Sequence, residues 1–217
     1  LSTLEVAQIA GRAGRYTTDG FFGEIGGLKQ MEESLINEVE NSSFQMLRKI
    51  KWRNTELEFN NVSSLISSLD LMSSHNYLER SQDGSDISIL KYIMAESPES
   101  ISKLDKDDVK LLWEACQIPD FRKISNQDHA DLVMKIFEFV RAKGFIPSDW
   151  LQMEINRLDN VQGDIDILSK RVSFIRTWSF VANISRWLSD GEYFVGITRA
   201  IEDKLSDALH IKLTQRF

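Results

Sequence analysis

The chain has 217 residues, 42% hydrophobic and 27% charged, with a formal net charge of −7; that suits a globular protein with its own core and argues against indiscriminate nucleic-acid binding. A single cysteine, Cys116, excludes an internal disulfide, and with His75, His129 and His210 scattered there is no metal-ligand spacing. No apolar run approaches the roughly 20 residues of a membrane span, and the first residues lack the basic flank and apolar stretch of a signal peptide, so the expectation is a soluble intracellular protein with no membrane partner.

Ser2-Thr3-Leu4-Glu5 reads as a capping box that starts a short helix through Ala10, ended by Gly11. Asp19-Gly20 marks a turn, and FFGEIGGLK reads as a strand whose glycines allow close backbone approach. This helix, loop and strand look like the tail of an α/β domain. Cut from a parent sheet, such a strand has unpaired edges, which invite an edge-paired oligomer.

From Met31 onward the signals are nearly all helical. Leu35, Ile36 and Val39 form one short apolar face; Leu65, Ile66, Leu69 and Met72 form another, entered through Asn60 and Asn61. Residues 74–86 read as a loop. Asp105 caps a helix in which Val109, Leu112, Trp113 and Cys116 share a face, and Pro119 stops it. Ala130, Val133, Phe137 and Val140 form the next face, closed by Gly144, and Ser148 caps a helix bearing Trp150, Leu151, Ile155 and Leu158.

The last two helices are the longest. Ile165, Leu168, Val172, Ile175 and Ala182 mark the first, to about Leu188; Phe194, Ile197, Ile201, Leu205 and Ala208 mark the second, with Asp190-Gly191 between them. A short connection predicts an antiparallel hairpin. The fold class is therefore mainly α, with a small α/β remnant at the N-terminus. The expected divisions are 1–30 (the remnant), 31–61 (a connecting segment), 62–160 (a helical domain) and 161–217 (the hairpin). Charge follows a similar division: residues 30–167 carry −10, whereas residues 168–217 carry +3. A polyanion would meet the C-terminal stretch first.

The chemistry sits in QIAGRAGR, residues 8 to 15. Arginines near a transferring phosphate stabilise charge that builds on its oxygens. Arg12 and Arg15 lie on a loop with Gly11 and Gly14, one helical turn from Gln8, which can orient a water. The spacing of Gln8, Gly11, Arg12, Gly14 and Arg15 resembles QxxGRxGR, the sixth motif of superfamily-two helicases. The segments LLWEACQIPDFRK, GDIDILSKRVSFIRTWSFV and DGEYFVGITRAIEDKLSDALHIKLTQRF are similar to the C-terminal region of the Suv-three RNA helicases of the mitochondrial degradosome and, more closely, their alphaproteobacterial relatives.

That resemblance implies an ATP-dependent enzyme that unwinds RNA, and in places DNA. The remnant would close a second RecA-like domain. Arg12 and Arg15 would face the γ-phosphate, with Gly11 and Gly14 beside it, and Gln8 would position the attacking water. ATP and Mg2+ belong to the intact enzyme; none is expected in this chain, which has no Gly-Lys or Asp-Glu dipeptide and so neither phosphate-binding loop nor acidic magnesium motif. The expectation is an inactive C-terminal fragment that forms one wall of the nucleic-acid channel. Location follows the resemblance: bacterial cytoplasm, or the mitochondrial matrix. The rival reading is a non-enzymatic helical module that docks an exoribonuclease or another protein; the acidic middle suits protein contacts.

Other residues carry two readings each. Arg171, Arg176 and Arg186, with Trp178 and Trp187, fall in a hairpin that the resemblance places near the RNA path. Trp178 reads as buried and Trp187 as a surface aromatic. The arginines suit RNA contact or ion pairs with Glu202, Asp203 or Asp207. In LRKIKWRN, Trp52 among basic residues suits a stacked base or, better, a core plug. Asp164 and Asp166 read as helix-start residues rather than a catalytic pair, and Cys116 as inert packing.

Overall fold

A computed structural model of the chain describes residues 2–13, 19–23, 30–44, 46, 48–123 and 125–216, the last without its side chain. Among the described residues the fold is mainly helical: ten α-helices and two three-residue strands. The chain divides into two compact units, residues 1–50 and 51–217.

The first unit holds α1 (Thr3–Ala10) and α2 (Glu33–Glu40). The expected capping box is present. The Ser2 amide donates to Glu5 Oε2 at 2.7 Å, and the Glu5 amide donates back to Ser2 Oγ at 3.4 Å. The bond from the Ser2 amide holds the Glu5 carboxyl below its ordinary range. Thr3 Oγ1 donates to Glu38 Oε2 at 3.0 Å, tying α1 to α2. No described side chain of this unit is fully buried. The strand expected over FFGEIGGLK falls mostly outside the described residues; Phe21 to Gly23, which are described, have no regular structure, and Phe21 is exposed.

The second unit has one continuous core, from Val62 to Leu205. The helical stretch 62–160 and the hairpin thus share one interior. β1 (Ile50–Trp52) pairs with β2 (Leu78–Arg80). The region read as a loop, 74–86, therefore supplies a strand, and the expected connecting segment supplies its partner. Three residues are too few for a period-2 pattern to stand out. α3 (Val62–Leu69) starts at Asn61, whose side chain accepts from the Ser64 amide at 2.8 Å.

α4 (Ser85–Glu96) and α5 (Pro98–Ile101) carry no signal among the sequence faces above, although Ile87, Ile89, Leu90, Ile93 and Ile101 are all buried. The buried Ile87, Ile89, Leu90 and Ile93 of α4 share one side of the helix, opposite the exposed Ser85, Ser88, Ala95 and Glu96. Around its start, Arg80 and Lys91 bind Asp70 and Asp83 in a four-membered ionic cluster. The Lys91 bond lowers the Asp83 pKa.

α6 (Lys106–Cys116) is capped by Asp105, which accepts from the Asp107 and Asp108 amides. α7 (Asn126–Lys143) starts at Ser125 and ends at Gly144, whose φ of 79° is the left-handed turn that glycine permits. α8 (Ser148–Asn156) begins one residue earlier than expected: Pro147 occupies the cap, so Ser148 is already helical and its hydroxyl makes no cap bond. Phe139, Trp150 and Trp178 form an aromatic column that locks α7, α8 and α9 together, with ring centroids 4.9 Å and 5.6 Å apart.

α9 (Ile165–Ala182) starts on Asp164, which accepts from the Ile167 amide at 2.8 Å. It stops six residues before the expected end at Leu188, because the chain tightens into a 3-10 turn at Ser185–Trp187. α10 (Gly191–Arg216) then returns alongside it. Gly191 meets the end of α9 closely: a Cβ there would lie 3.7 Å from Ser185 Cα and 3.9 Å from the Ala182 carbonyl oxygen. At the opposite end, Lys212 shares a surface depression with Asp164 and Asp166.

Candidate functional site

Three of the five motif residues are described. Gln8 occupies the last turn of α1, Gly11 caps that helix, and Arg12 follows in a turn whose amide donates to the Ile9 carbonyl at 3.1 Å. Gly14 and Arg15 lie outside the described residues. Gln8 and Arg12 are one helical turn apart and both exposed. Among the described residues Arg12 has no ion-pair partner. A free guanidinium and a primary amide thus meet solvent at one end of α1. This is the charge and polarity that an anionic ligand and its attacking water require.

Gln8 and Gly11 also rim an open cleft of about 760 Å3, floored by Leu4, Ala7, Ile36 and Val39 of α1 and α2, with Phe21 and Phe22 along the side. The tight packing of Gly11 matters here. A Cβ at that position would stand 3.2 Å from the Ala7 carbonyl oxygen, closer than most side chains tolerate.

In the hairpin each candidate arginine already has an intramolecular partner. Arg171 Nη1 donates to the carbonyl oxygens of Asn160, at 2.7 Å, and of Gln162, fastening α9 to the loop before it. Arg176 Nε donates to Glu202 Oε1 at 2.9 Å across the α9–α10 seam, the pairing weighed from the sequence. Arg186 reaches Glu114 of α6 at 2.7 Å, a partner that sequence separation hid. The side chains of Arg176 and Arg186 are still half or more exposed (51% and 63%).

The surface position expected of Trp187 is corrected: it is 1% exposed. The early end of α9 is the cause. The 3-10 turn redirects residue 187 inward, and the Ile146 amide donates to its carbonyl at 2.8 Å, holding the turn against the α7–α8 connection. A side chain so placed offers no face to a base. Trp178 is buried as expected, at 4%.

Two of the four basic residues around Trp52 are committed to the fold. Lys51 pairs with Glu79 at 2.8 Å, and Arg53 pairs with Asp86 at 2.9 Å while lying 5.3 Å from the centre of the Trp113 ring. Trp52 itself is half-buried. Cys116 is buried, and burial drives its thiol pKa far upward, so it carries no thiolate chemistry. His129, unassigned from the sequence, is buried between α7 and the Ile118–Pro119 turn, and burial depresses its pKa.

Sequence spacing also concealed a basic group on the outer side of α9, where Arg122 and Lys123 meet Lys170. Nearly fifty residues separate the two contributions, so no local motif announces them. No cluster of three or more metal-ligating side chains occurs among the described residues, and no helix there is long and apolar enough to cross a membrane. No protein-family model, no curated protein and no solved structure matches the chain.

Proposed function

We propose that the chain is the C-terminal part of an ATP-dependent RNA helicase, contributing an arginine motif to the nucleotide site and a helical wall to the strand channel. The observation that carries this reading is the pairing of Gln8 and Arg12 on one exposed helix end, within a sequence pattern that continues to Gly14 and Arg15. Arginines so placed act on the transition state, where charge develops on the equatorial oxygens of the γ-phosphate. Gln8 orients water by donating from, or accepting at, its amide. The guanidinium of Arg12, without an internal partner among the described residues, fits an anionic nucleotide. In the intact enzyme the metal and the bulk of the nucleotide would be held by the other, nucleotide-binding half. When bound, ATP supplies the driving energy of unwinding.

The decisive experiment is ATP hydrolysis by the enzyme carrying its nucleotide-binding half. Arg12→Ala or Arg15→Ala should lower turnover by roughly 10³-fold with far less effect on ATP affinity. Normal turnover in both variants, or a full-length coding sequence without a phosphate-binding loop, would sink the reading.

A second reading is favoured by the pairing of Arg171, Arg176 and Arg186 with acceptors of the fold itself. It makes the helical unit a docking platform for a protein such as an exoribonuclease. Salt-insensitive capture of that protein, with no RNA affinity, would support it.

A further inference from the structure

The loop after Pro119 and the exposed side of α9 enclose an open pocket of about 390 Å3, lined by Arg122, Lys123, Ser169, Lys170, Ser173 and Phe174. Three of these side chains are cationic and two are hydroxyls; none is acidic. Asp120 builds the loop by accepting from the amides of Arg122 and Lys123, at 3.1 and 3.0 Å. Lys123 is held with φ at 49°, a backbone conformation that a lysine adopts at a cost. Arg122 lies with its guanidinium 4.8 Å from the centre of the Phe174 ring, and its Nη2 donates to the Asp128 carbonyl at 3.0 Å. Its Nε is buried without a hydrogen-bond partner among the described residues. Neither Lys123 nor Lys170 has an ion-pair partner among the described residues.

Two lysines without ion-pair partners among the described residues, the Arg122 guanidinium and the Ser169 hydroxyl around one opening have a common complement, a tetrahedral oxyanion with several acceptor oxygens; the Ser173 hydroxyl is already used, donating to the Ser169 carbonyl at 3.0 Å. We propose that this pocket is a phosphate subsite for the backbone of a single-stranded nucleic acid. The inference rests on the reading of the chain as a nucleic-acid-handling protein, and it relocates the contact from the hairpin arginines to the group around Lys123 and Lys170. A strand is favoured over an isolated phosphate because the pocket continues. Ser169 and Ser173 also border the next depression, which runs past Arg176 to Ser206 and His210 of α10. From Ser169 to Arg176 the helix advances about 10 Å, more than one phosphate group occupies. Phosphate contacts of this kind position a strand without reading its bases.

The test uses the full chain and a fluorescent oligouridylate of about a dozen nucleotides, titrated across salt concentrations. Lys170→Gln and Lys123→Asn remove one charge each; asparagine tolerates the left-handed backbone at 123. Each should weaken binding roughly three- to tenfold and reduce the salt slope by about 0.7. Their melting temperatures should stay at the parent value, and Lys103→Gln, an exposed lysine elsewhere, should bind normally. Lys170→Arg should restore affinity. If the parent chain binds the RNA and both pocket variants bind it equally well, the subsite is wrong while the nucleic-acid reading stands. If the parent chain binds no RNA, both are wrong. An acidic peptide that displaces the RNA at matched charge would assign the pocket to a protein ligand and overturn the proposal.

Discussion

Arg176 Nε and Glu202 Oε1 stand 2.9 Å apart across the seam between α9 and α10, each on the polar flank of a helix whose other side is core. Glu202 also accepts from Ser179 at 3.4 Å, so one carboxylate serves two residues of α9. The pair is partly exposed, and such pairs contribute up to about 1 kcal/mol. A double-mutant cycle of Arg176→Ala and Glu202→Ala, followed by urea unfolding, should give a coupling energy in that range. Because the guanidinium is already paired with Glu202, Arg176→Ala should also weaken RNA binding less than Lys170→Gln does. The reverse order would return the strand path to the hairpin seam.

Trp187 tests packing against stacking. Fully buried in the turn between α9 and α10, it should cost about 3–5 kcal/mol of stability on truncation to alanine. A solvent-facing base-stacking residue would instead leave the melting temperature unchanged and lose roughly 1–3 kcal/mol of RNA binding. Denaturant unfolding beside RNA titration of the folded variant separates the two.

What was legible in the sequence was what neighbouring residues decide. Ser2 with Glu5, Asn61, Asp105, Asp164 and Gly144 act within one helical turn, and each does at its helix end what its chemistry requires. Ser148 shows the limit: a cap one residue off is not resolved by composition. The exposure of Trp187 was not legible, because the 3-10 turn that ends α9 depends on the contact with Ile146, about forty residues away. For the candidate site, Gln8 and Arg12 form a local pattern and could be read. Arg122, Lys123 and Lys170 could not, because only the packing of the post-Pro119 loop against α9 makes them one group.

His129 gives the second unit a pH dependence with a definite sign. Its Nε2 lies 3.1 Å from the Ile118 carbonyl oxygen, which can only accept, so Nε2 carries the proton of a neutral ring. Burial lowers its pKa below the ordinary 6.5. Between the unfolded and folded values the unfolded chain binds more protons, and stability therefore falls as pH falls. The contribution should be intact above about pH 6.5 and fade as the pH drops through the lower folded value. Thermal melts from pH 8 to 5 should show His129→Gln, which retains an amide donor for Ile118, with a flatter profile than the parent. Asp83, whose pKa is lowered by Lys91, acts only in a more acidic window, so it does not mask the difference. Identical slopes for parent and variant would mean that the ring charges without penalty.

The last prediction concerns Gly11, where fold and proposed chemistry meet. The cap of α1 is in the ordinary right-handed region, with φ −63°, so alanine meets no backbone prohibition. The obstacle is steric, since a Cβ would approach the Ala7 carbonyl oxygen to 3.2 Å, in the turn that positions Arg12 relative to Gln8. Relief needs only a few tenths of an ångström, and α1 has no buried residue to resist it. Gly11→Ala should therefore change melting of the chain little. A small displacement is costly to a transition-state contact, because reacting groups must be held to within fractions of an ångström. In the enzyme with its nucleotide-binding half, Gly11→Ala should lower ATP turnover by roughly tenfold or more while ATP affinity stays near normal. Single-turnover hydrolysis measured beside nucleotide binding distinguishes the cases. Equal losses of affinity and rate would mean that Gly11 serves ground-state binding, and an unchanged rate would mean that the spacing of Gln8 and Arg12 is immaterial to the chemistry.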